Sequence, residues 1–243
     1  TSFMASAGKV AAFAAMLRLL TAGLGSRSDD WRPVIWALAI LTVFVGSIMA
    51  VVQTNVKRML SYSSISHAGF ILIGVEAAGH SSGDGLNSAV AYLAIYTVLV
   101  LGSFAIVLAI SGTDDDLTSL DDFKGLAQRR PSLALAFSIL LFAQAGVPFT
   151  SGFVAKFGVI KSAVEVDSYA IAIAAMVAAV IGAYLYLRIV VSMWLEEPTS
   201  TDKVVVAKPV IAVISFAVVF TLLIGIFPSI LLDAAELVRF APR

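Results

Sequence analysis

The sequence has no cysteine, only two histidines and little charge of either sign. Without cysteine the chain holds no disulfide and no thiolate-bound iron-sulfur cluster. The imidazoles are His67 and His80, and His80 stands in a polar stretch, so a haem clamped between two histidines is hard to build. Electrons are therefore not expected to pass through this polypeptide, which leaves protons, ions or lipid-soluble ligands as its cargo. Charged residues are 13% of the 243, against about 25% in an ordinary soluble domain. The 16 Lys and Arg balance 16 Asp and Glu, and the pI is about 6.7, so charge gives no case for nucleic acid or for an acidic or basic partner. An initiator Met, a basic leader and a small-residue cleavage site are also missing at the start. The chain opens on Thr1 and turns apolar at Phe3, and it is expected to be a piece of a longer protein that begins near the start of a helix.

What is abundant is hydrocarbon. Hydrophobic residues make up 60% of the chain and the mean hydropathy is +0.97, so water is not expected to be the main solvent. A bilayer core of about 30 Å takes about 20 apolar residues in a helix. Windows of that kind run approximately over 3–20, 34–52, 62–78, 88–110, 133–164, 169–195 and 210–227. They are separated by GLGSRSDDWRP, QTNVKRML, GHSSGDGLN, the segment 111–131, EVDS and EEPTSTDKVVVAKP, all rich in turn or charge chemistry. The runs are far longer than strands, and a transmembrane barrel would alternate polar and apolar residues. The expected fold is an all-α integral membrane protein, one transmembrane domain over 1–243 with about seven membrane helices.

Breaks holding Lys57 and Arg58, then Lys124, Arg129 and Arg130, then Lys203 and Lys208 fall on one side and read as cytoplasmic. The breaks with His80 and Asp167, and the C-terminus, fall on the other, where Arg27, Arg32, Arg239 and Arg243 dilute the bias. In the segment 111–131, Leu117, Leu120, Phe123 and Leu126 recur at threes after an Asp-rich start, as in a short amphipathic helix on the membrane surface or a partner. An ordinary connector reads equally well there. The segment 230–240 has the same two readings.

Ionisable groups inside the windows are few, among them Lys9, Arg18, His67, Glu76, Lys156 and Arg188. Each costs roughly 2.5 to 3.5 kcal/mol at a helix centre unless it meets a partner or water. Arg18, Glu76 and Arg188 lie close enough to window ends to reach the interface by snorkelling. Lys156 lies within an apolar run too long for a simple span, interrupted by GVPFTSGF. There Pro148 removes a backbone donor and Gly146 and Gly152 weaken the helix, so a break is expected between 146 and 152. A broken helix with a lysine just past the break suits an ion site near the midplane, and a kinked helix with a snorkelling lysine is the plainer alternative. Lys9 is flanked by small residues that admit a neighbouring helix or water. Ser63 and His67 share a helical face, as do Tyr92 and Tyr96. A histidine satisfied by a neighbouring hydroxyl is the plainer reading of His67, and the two tyrosines either line a water path or only pack. Two lysines, a histidine and hydroxyls are the makings of a proton wire, because a desolvated amine binds its proton less tightly and a nearby charge then decides whether it is loaded.

The stretches QTNVKRMLSYSSISHAGF (53–70) and AGVPFTSGFVAKF (145–157) resemble the antiporter-like membrane subunits of respiratory complex I, a family shared with Mrp-type cation/proton antiporters. The opening SAGKVAAFAAMLRLL is most similar to the N-type branch. The resemblance covers essentially the whole chain. It implies that the chain corresponds to the eighth through fourteenth helices of a fourteen-helix subunit. Lys9 then matches a bridging lysine on the eighth helix, Lys156 the lysine on the broken twelfth, and His67 a histidine near the half-channel. The family's glutamate on the fifth helix and lysine on the seventh would lie upstream. The resemblance further implies proton translocation coupled to NADH oxidation and quinone reduction, with flavin, iron-sulfur clusters and quinone in partner subunits and no cofactor in this chain. The implied partners are the other membrane subunits, neighbouring antiporter-like subunits among them, and lipid. The implied location is a bacterial plasma membrane in preference to a mitochondrial one. A Mrp-type antiporter or membrane-bound hydrogenase subunit is the nearest alternative, and a structural membrane spacer is an alternative of another class.

Overall fold

Apolar runs placed in hydrocarbon must satisfy their own backbone amides, and the chain does so as helix. The computed structural model describes residues 2–80, 84–111, 117–199 and 206–237, with side chains from Gly8 onward. Lys203, Arg239, Arg243, the Asp-rich start of the segment 111–131 and the end of the segment 230–240 lie outside the described residues.

Helix α1 (Ser2–Arg18) ends in a widened turn over Leu19–Gly23. Next come α2 (Ser28–Val51), α3 (Val56–Ala78) and α4 (Gly85–Ser111). After a single α-turn, α5 (Leu126–Arg129), two half-length helices follow, α6 (Pro131–Ala145) and α7 (Ser151–Glu165). Then come α8 (Tyr169–Leu195), α9 (Lys208–Ile226) and the short α10 (Ser229–Glu236). By length and composition, four spans among the described residues suffice to cross a membrane: Gly25–Val51, Gly85–Ser111, Tyr169–Leu195 and Lys208–Ile226. The rest of the bundle is α1, the polar α3 and the pair α6 and α7, 15 residues each.

Two helices start earlier than hydropathy suggests. Asp29 and Asp30 open α2, where negative charge suits the N-terminal dipole. Asn55 caps α3, its Oδ1 accepting from Arg58 N at 3.0 Å, so Lys57 and Arg58 belong to the helix and not to a break. The link before α3 is tied to the segment after α4: Val56 N donates to Thr118 O and Leu120 N to Thr54 O, each at 2.8 Å. Lys124 bridges Asp121 at 2.8 Å and Glu196 at 3.1 Å, and hydrogen bonds to these two raise its pKa above the usual lysine value. Arg188 Nη1 donates to Val51 O and Gln53 O. These links gather at one end of the bundle, and Glu76, His80 and Ser168 gather at the other.

The segment 111–131 is not one amphipathic helix. Its described part makes a 3-10 turn, Leu120–Phe123, and then α5, parted at Gly125 with φ +60. Phe123 and Leu126 are fully buried in the protein's own core, Phe123 packing on Phe137 at 6.0 Å. Phe123 and Leu126 are thus spent inside the chain, while Leu117 stays exposed. The described part of 230–240 is α10, which packs on α4 and α9 and leaves Ile230 and Leu232 exposed.

The outer surface is apolar, unlike that of a water-soluble bundle, while polar groups are buried in an otherwise apolar core. Outward faces carry Leu41, Val45 and Ile48 on α2, Ile173, Val180 and Leu187 on α8, and Phe216 and Val219 on α9. Buried instead are Ser47, Ser63, Ser64, Ser66, His67, Gln144 and Lys156. With lipid outside, the interior is where polar groups find partners. Close approach makes room for this core: a Cβ on Gly46 would lie 2.3 Å from Ser66 N, and one on Gly69 2.7 Å from Val43 N, so α2 and α3 cross backbone to backbone.

Candidate functional site

The polar interior is strung along α3, and SYSSISH puts three serines and His67 on its buried faces. On α1, Lys9 is half-buried. Its Nζ donates to Ser64 Oγ, to Ser64 O at 3.2 Å and to Tyr96 OH at 3.4 Å, and stands 5.8 Å from the Tyr96 ring centre. These partners hold the Lys9 amine toward the interior of the bundle.

His67 is 4% exposed, with both ring nitrogens engaged. Nδ1 pairs with Tyr92 OH at 2.7 Å and Nε2 with Tyr186 OH at 3.0 Å. The Tyr186 hydroxyl also pairs with Ser63 Oγ. Ser63 therefore reaches the imidazole through a phenol on α8, although the two share a face of α3. One nitrogen of a neutral imidazole donates while the other accepts, and exchanging the two tautomers reverses the hydrogen bonds along Ser63, Tyr186, His67 and Tyr92. Tyr96, one turn from Tyr92, packs against the imidazole at 5.4 Å between ring centres and touches Lys9 on its other side. Tyr96 thus joins two hydrogen-bonded groups, one around Lys9 and one around His67.

Lys156 stands at the gap between α6 and α7. Helix α6 stops at Ala145 because Gly146 takes a left-handed φ of +91, with Gly146 N and Val147 N both bonded to Phe142 O at 3.0 Å. Pro148 brings no N–H into the gap, and Thr150 Oγ1 donates to Val147 O at 2.6 Å. Helix α7 restarts at Ser151, and Gly152 is pressed against α6, where a Cβ would lie 1.8 Å from Ala143 O. Helix termini leave carbonyls without helical partners. Lys156 Nζ donates to one of them, Ala145 O, at 3.0 Å. The amine is 7% exposed and lies 5.1 Å from the Phe70 ring centre. A cation at the negative end of α6 is electrostatically placed. Gln144 braces that end by donating to Ser103 Oγ at 2.7 Å.

Between His67 and Lys156 lies a cavity of about 10 Å³, walled by residues of α2, α3, α7 and α8 that include Ser63, Ser66, His67, Lys156 and Tyr186. The structure thus gathers Lys9, Ser63, His67, Tyr92, Tyr96 and Lys156 around α3. Tyr186 and Ser64 complete the site, and sequence reasoning passed over both. Tyr186 sits in an apolar helix, and the signal for it is the small-residue stripe of Ala178 and Gly182, two turns and one turn before it.

Glu76 does not snorkel. It is 3% exposed, and its Oε1 accepts from His80 Nε2 at 3.0 Å and Ser168 Oγ at 3.2 Å. Arg18 is exposed at the end of α1, as expected for an end residue, while Arg188 holds the carbonyls at the end of α2. Among the described residues, no group of three or more His, Asp or Glu is placed to hold a metal ion.

A family profile described as NADH:quinone oxidoreductase/Mrp antiporter, TM, matches residues 1–182. The chain is 43% identical over 237 residues to a protein of Parafrankia sp. called NADH-quinone oxidoreductase subunit N, covering 97% of this chain and 45% of that protein. It therefore spans a little under half the length of the curated relatives it matches. A chain of respiratory complex I from Thermus thermophilus superposes with a TM-score of 0.72 at 26% identity, over 84% of this chain and 45% of that one. A chain of the Mrp complex from Dietzia sp. superposes at 0.77 and 23% identity, over 86% of this chain and 47% of that one, a likeness of fold alone.

Proposed function

Because the chain belongs to the NADH:quinone oxidoreductase/Mrp antiporter transmembrane family, we propose that it forms the proton-translocating second half of an N-type membrane subunit of NADH:quinone oxidoreductase. It would span a bacterial plasma membrane several times, beside other membrane subunits that include antiporter-like ones. Flavin, iron-sulfur clusters and quinone would reside in partner subunits, and this chain would move protons only.

The observation that carries this reading is His67, a buried imidazole hydrogen-bonded at both nitrogens and set between two amines. Lys9, held by rotatable hydroxyls of Ser64 and Tyr96, passes a proton toward His67. His67 carries it by tautomer exchange between Tyr92 and Tyr186. Lys156 takes it up, and a change in charge nearby then releases it. In low dielectric such charges act over longer reach than in water, which is how redox events in other subunits would load and empty these sites.

Lys156→Ala in the assembled complex, with NADH:quinone activity and membrane potential measured together, tests the reading. We expect loss of pumping; full pumping in the variant would remove Lys156 from the path. The 43% identity to a subunit N over 97% of the chain favours this reading over a Mrp-type antiporter. Copurification with flavin and iron-sulfur proteins separates the two. For a structural spacer, neutralising Lys9 and Lys156 together would impair assembly and leave proton transport per assembled complex intact.

A further inference from the structure

Helices α6 and α9 part over one stretch and leave a groove of about 290 Å³ between them. The residues that border it on α6 are small, Ser132 and Ala136, and those on α9 are short and branched, Ile211, Ile214 and Val218, so neither helix fills the space. Arg130, just before α6, stands at one end. We propose that this groove is a site for one anionic phospholipid, its phosphate on Arg130 and one acyl chain laid along the seam between α6 and α9. The site belongs to the lipid-facing exterior and does not depend on how protons cross the interior.

The head end suits a phosphate. Among the described residues, Arg130 is the one charged group in the wall, and no carboxylate borders it. A guanidinium has five N–H donors in a planar fork that matches phosphate oxygens, so Arg130 holds a phosphate beside a protein partner. Ser132 adds a hydroxyl at the same end. Helices α6 and α9 both begin here, at Pro131 and Lys208, and neither first turn has a side-chain cap. Their N-terminal dipoles add positive potential where the phosphate would sit. Acids near this end are engaged elsewhere, Asp121 and Glu196 by Lys124 and Asp122 by Ser119. It is also the end of the bundle that Lys57, Arg58, Lys124 and Arg129 share, expected to face the cytoplasm, where the leaflet carries anionic lipid.

The rest of the groove suits a hydrocarbon chain and not a helix. Ile211 to Val219 run for about 12 Å along α9. Spread over that length, about 290 Å³ leaves a mean cross-section of about 24 Å². A helix about 10 Å across needs roughly three times that area. A helix of another subunit would rest over the groove and leave it unfilled, forfeiting packing contacts along its walls. An acyl chain enters and meets Ile211, Ile214 and Val218 along its length. Val219 borders the groove and is 63% exposed, so the groove opens outward into the bilayer. One cationic end and one apolar channel together select an amphiphile with a negative head.

The test uses the assembled complex, purified and supplied with phosphatidylglycerol or phosphatidylcholine at equal concentration. Native mass spectrometry then counts the lipid retained on this subunit as it is released. The native chain should keep one phosphatidylglycerol under conditions that strip phosphatidylcholine. Arg130→Gln removes the cation, and Ala136→Trp adds bulk where the side chain already borders the groove; each should lower phosphatidylglycerol retention at least fivefold. Leu135→Trp, one position along on an exposed face of α6, should leave it within twofold of native. Equal retention of the two lipids by the native chain, unchanged retention in both groove variants, or an equal loss in Leu135→Trp overturns the site. Should a groove variant not assemble, density decides the matter in the native complex in nanodiscs made of both lipids. A chain between α6 and α9 that ends in a phosphate within hydrogen-bond reach of Arg130 supports the site, and an empty groove or one filled by protein overturns it.

Discussion

Lys9 and Lys156 are both amines inside a bundle whose outer faces are hydrocarbon, yet they are held in opposite ways. Lys9 rides an uninterrupted helix, half-buried, and most of its partners are side-chain hydroxyls that can rotate. Lys156 sits beside a helix break, nearly sealed, and donates to a fixed backbone carbonyl below an aromatic ring. Rotatable hydroxyls pass a proton on, while a carbonyl at a helix C-terminus can only accept from the amine, and so stabilises it loaded until another charge intervenes.

The largest expected effect falls on the fixed end. Gly152→Val puts side-chain atoms where Ala143 O already stands, 1.8 Å from a Cβ. Overpacking of this kind costs about 1–3 kcal/mol, or more when backbone must move. Assembled complex, measured on native gels, should fall sharply; normal assembly would show that the break is softer than its contacts imply. A second, smaller effect belongs to the rotatable end. Lys9→Gln keeps a polar group near Ser64 and Tyr96 but cannot carry a charge, so proton translocation should drop about tenfold, or about 1.4 kcal/mol of barrier, with assembly unchanged. Combining it with Lys156→Ala should cost little beyond Lys156→Ala alone, because residues in series are not additive. If the two losses multiply, the lysines act on separate paths.

The smallest effect lies between the two ends. Tyr186→Phe removes the hydroxyl shared by Ser63 and His67 and keeps the ring. A buried hydrogen bond is worth about 0.5–1.5 kcal/mol net, so translocation should slow by about threefold to tenfold. Fold and assembly should be unaffected, and a translocation rate equal to the native one would detach α8 from the pathway.

Much of this architecture is legible in the sequence because hydrocarbon imposes few choices. The window 169–195 and helix α8 share their bounds, since EVDS and EEPTS punctuate it sharply. Where polar residues begin a helix, hydropathy misleads: Ser28 to Arg32 and Val56 to Ser61 are helical because of Asp29 and Asp30 in one first turn and the Asn55 cap in the other. The helical breaks at Gly146 and Gly125 are both left-handed glycines, but only the first has a proline close by to announce it. Among site residues, Lys9, His67 and Lys156 stand out through their cost in lipid. Tyr186 does not, because a phenol is cheap in an apolar helix and its value lies in reaching across to α3. Distance to a window end misleads for Glu76, because the partners that keep it inside, His80 and Ser168, come from the turn after α3 and from the residue before α8. Tertiary pairing of that sort leaves no local periodicity to read.

The central claim is that His67 is the station between the two amines. The most direct measurement is the number of protons translocated per NADH oxidised in vesicles containing the assembled His67→Gln complex, set against the native ratio. A glutamine keeps polar contact with Tyr92 and Tyr186 but cannot take up and give back a proton. The account predicts that the proton ratio falls while the complex still assembles; an unchanged ratio at an unchanged oxidation rate would contradict it.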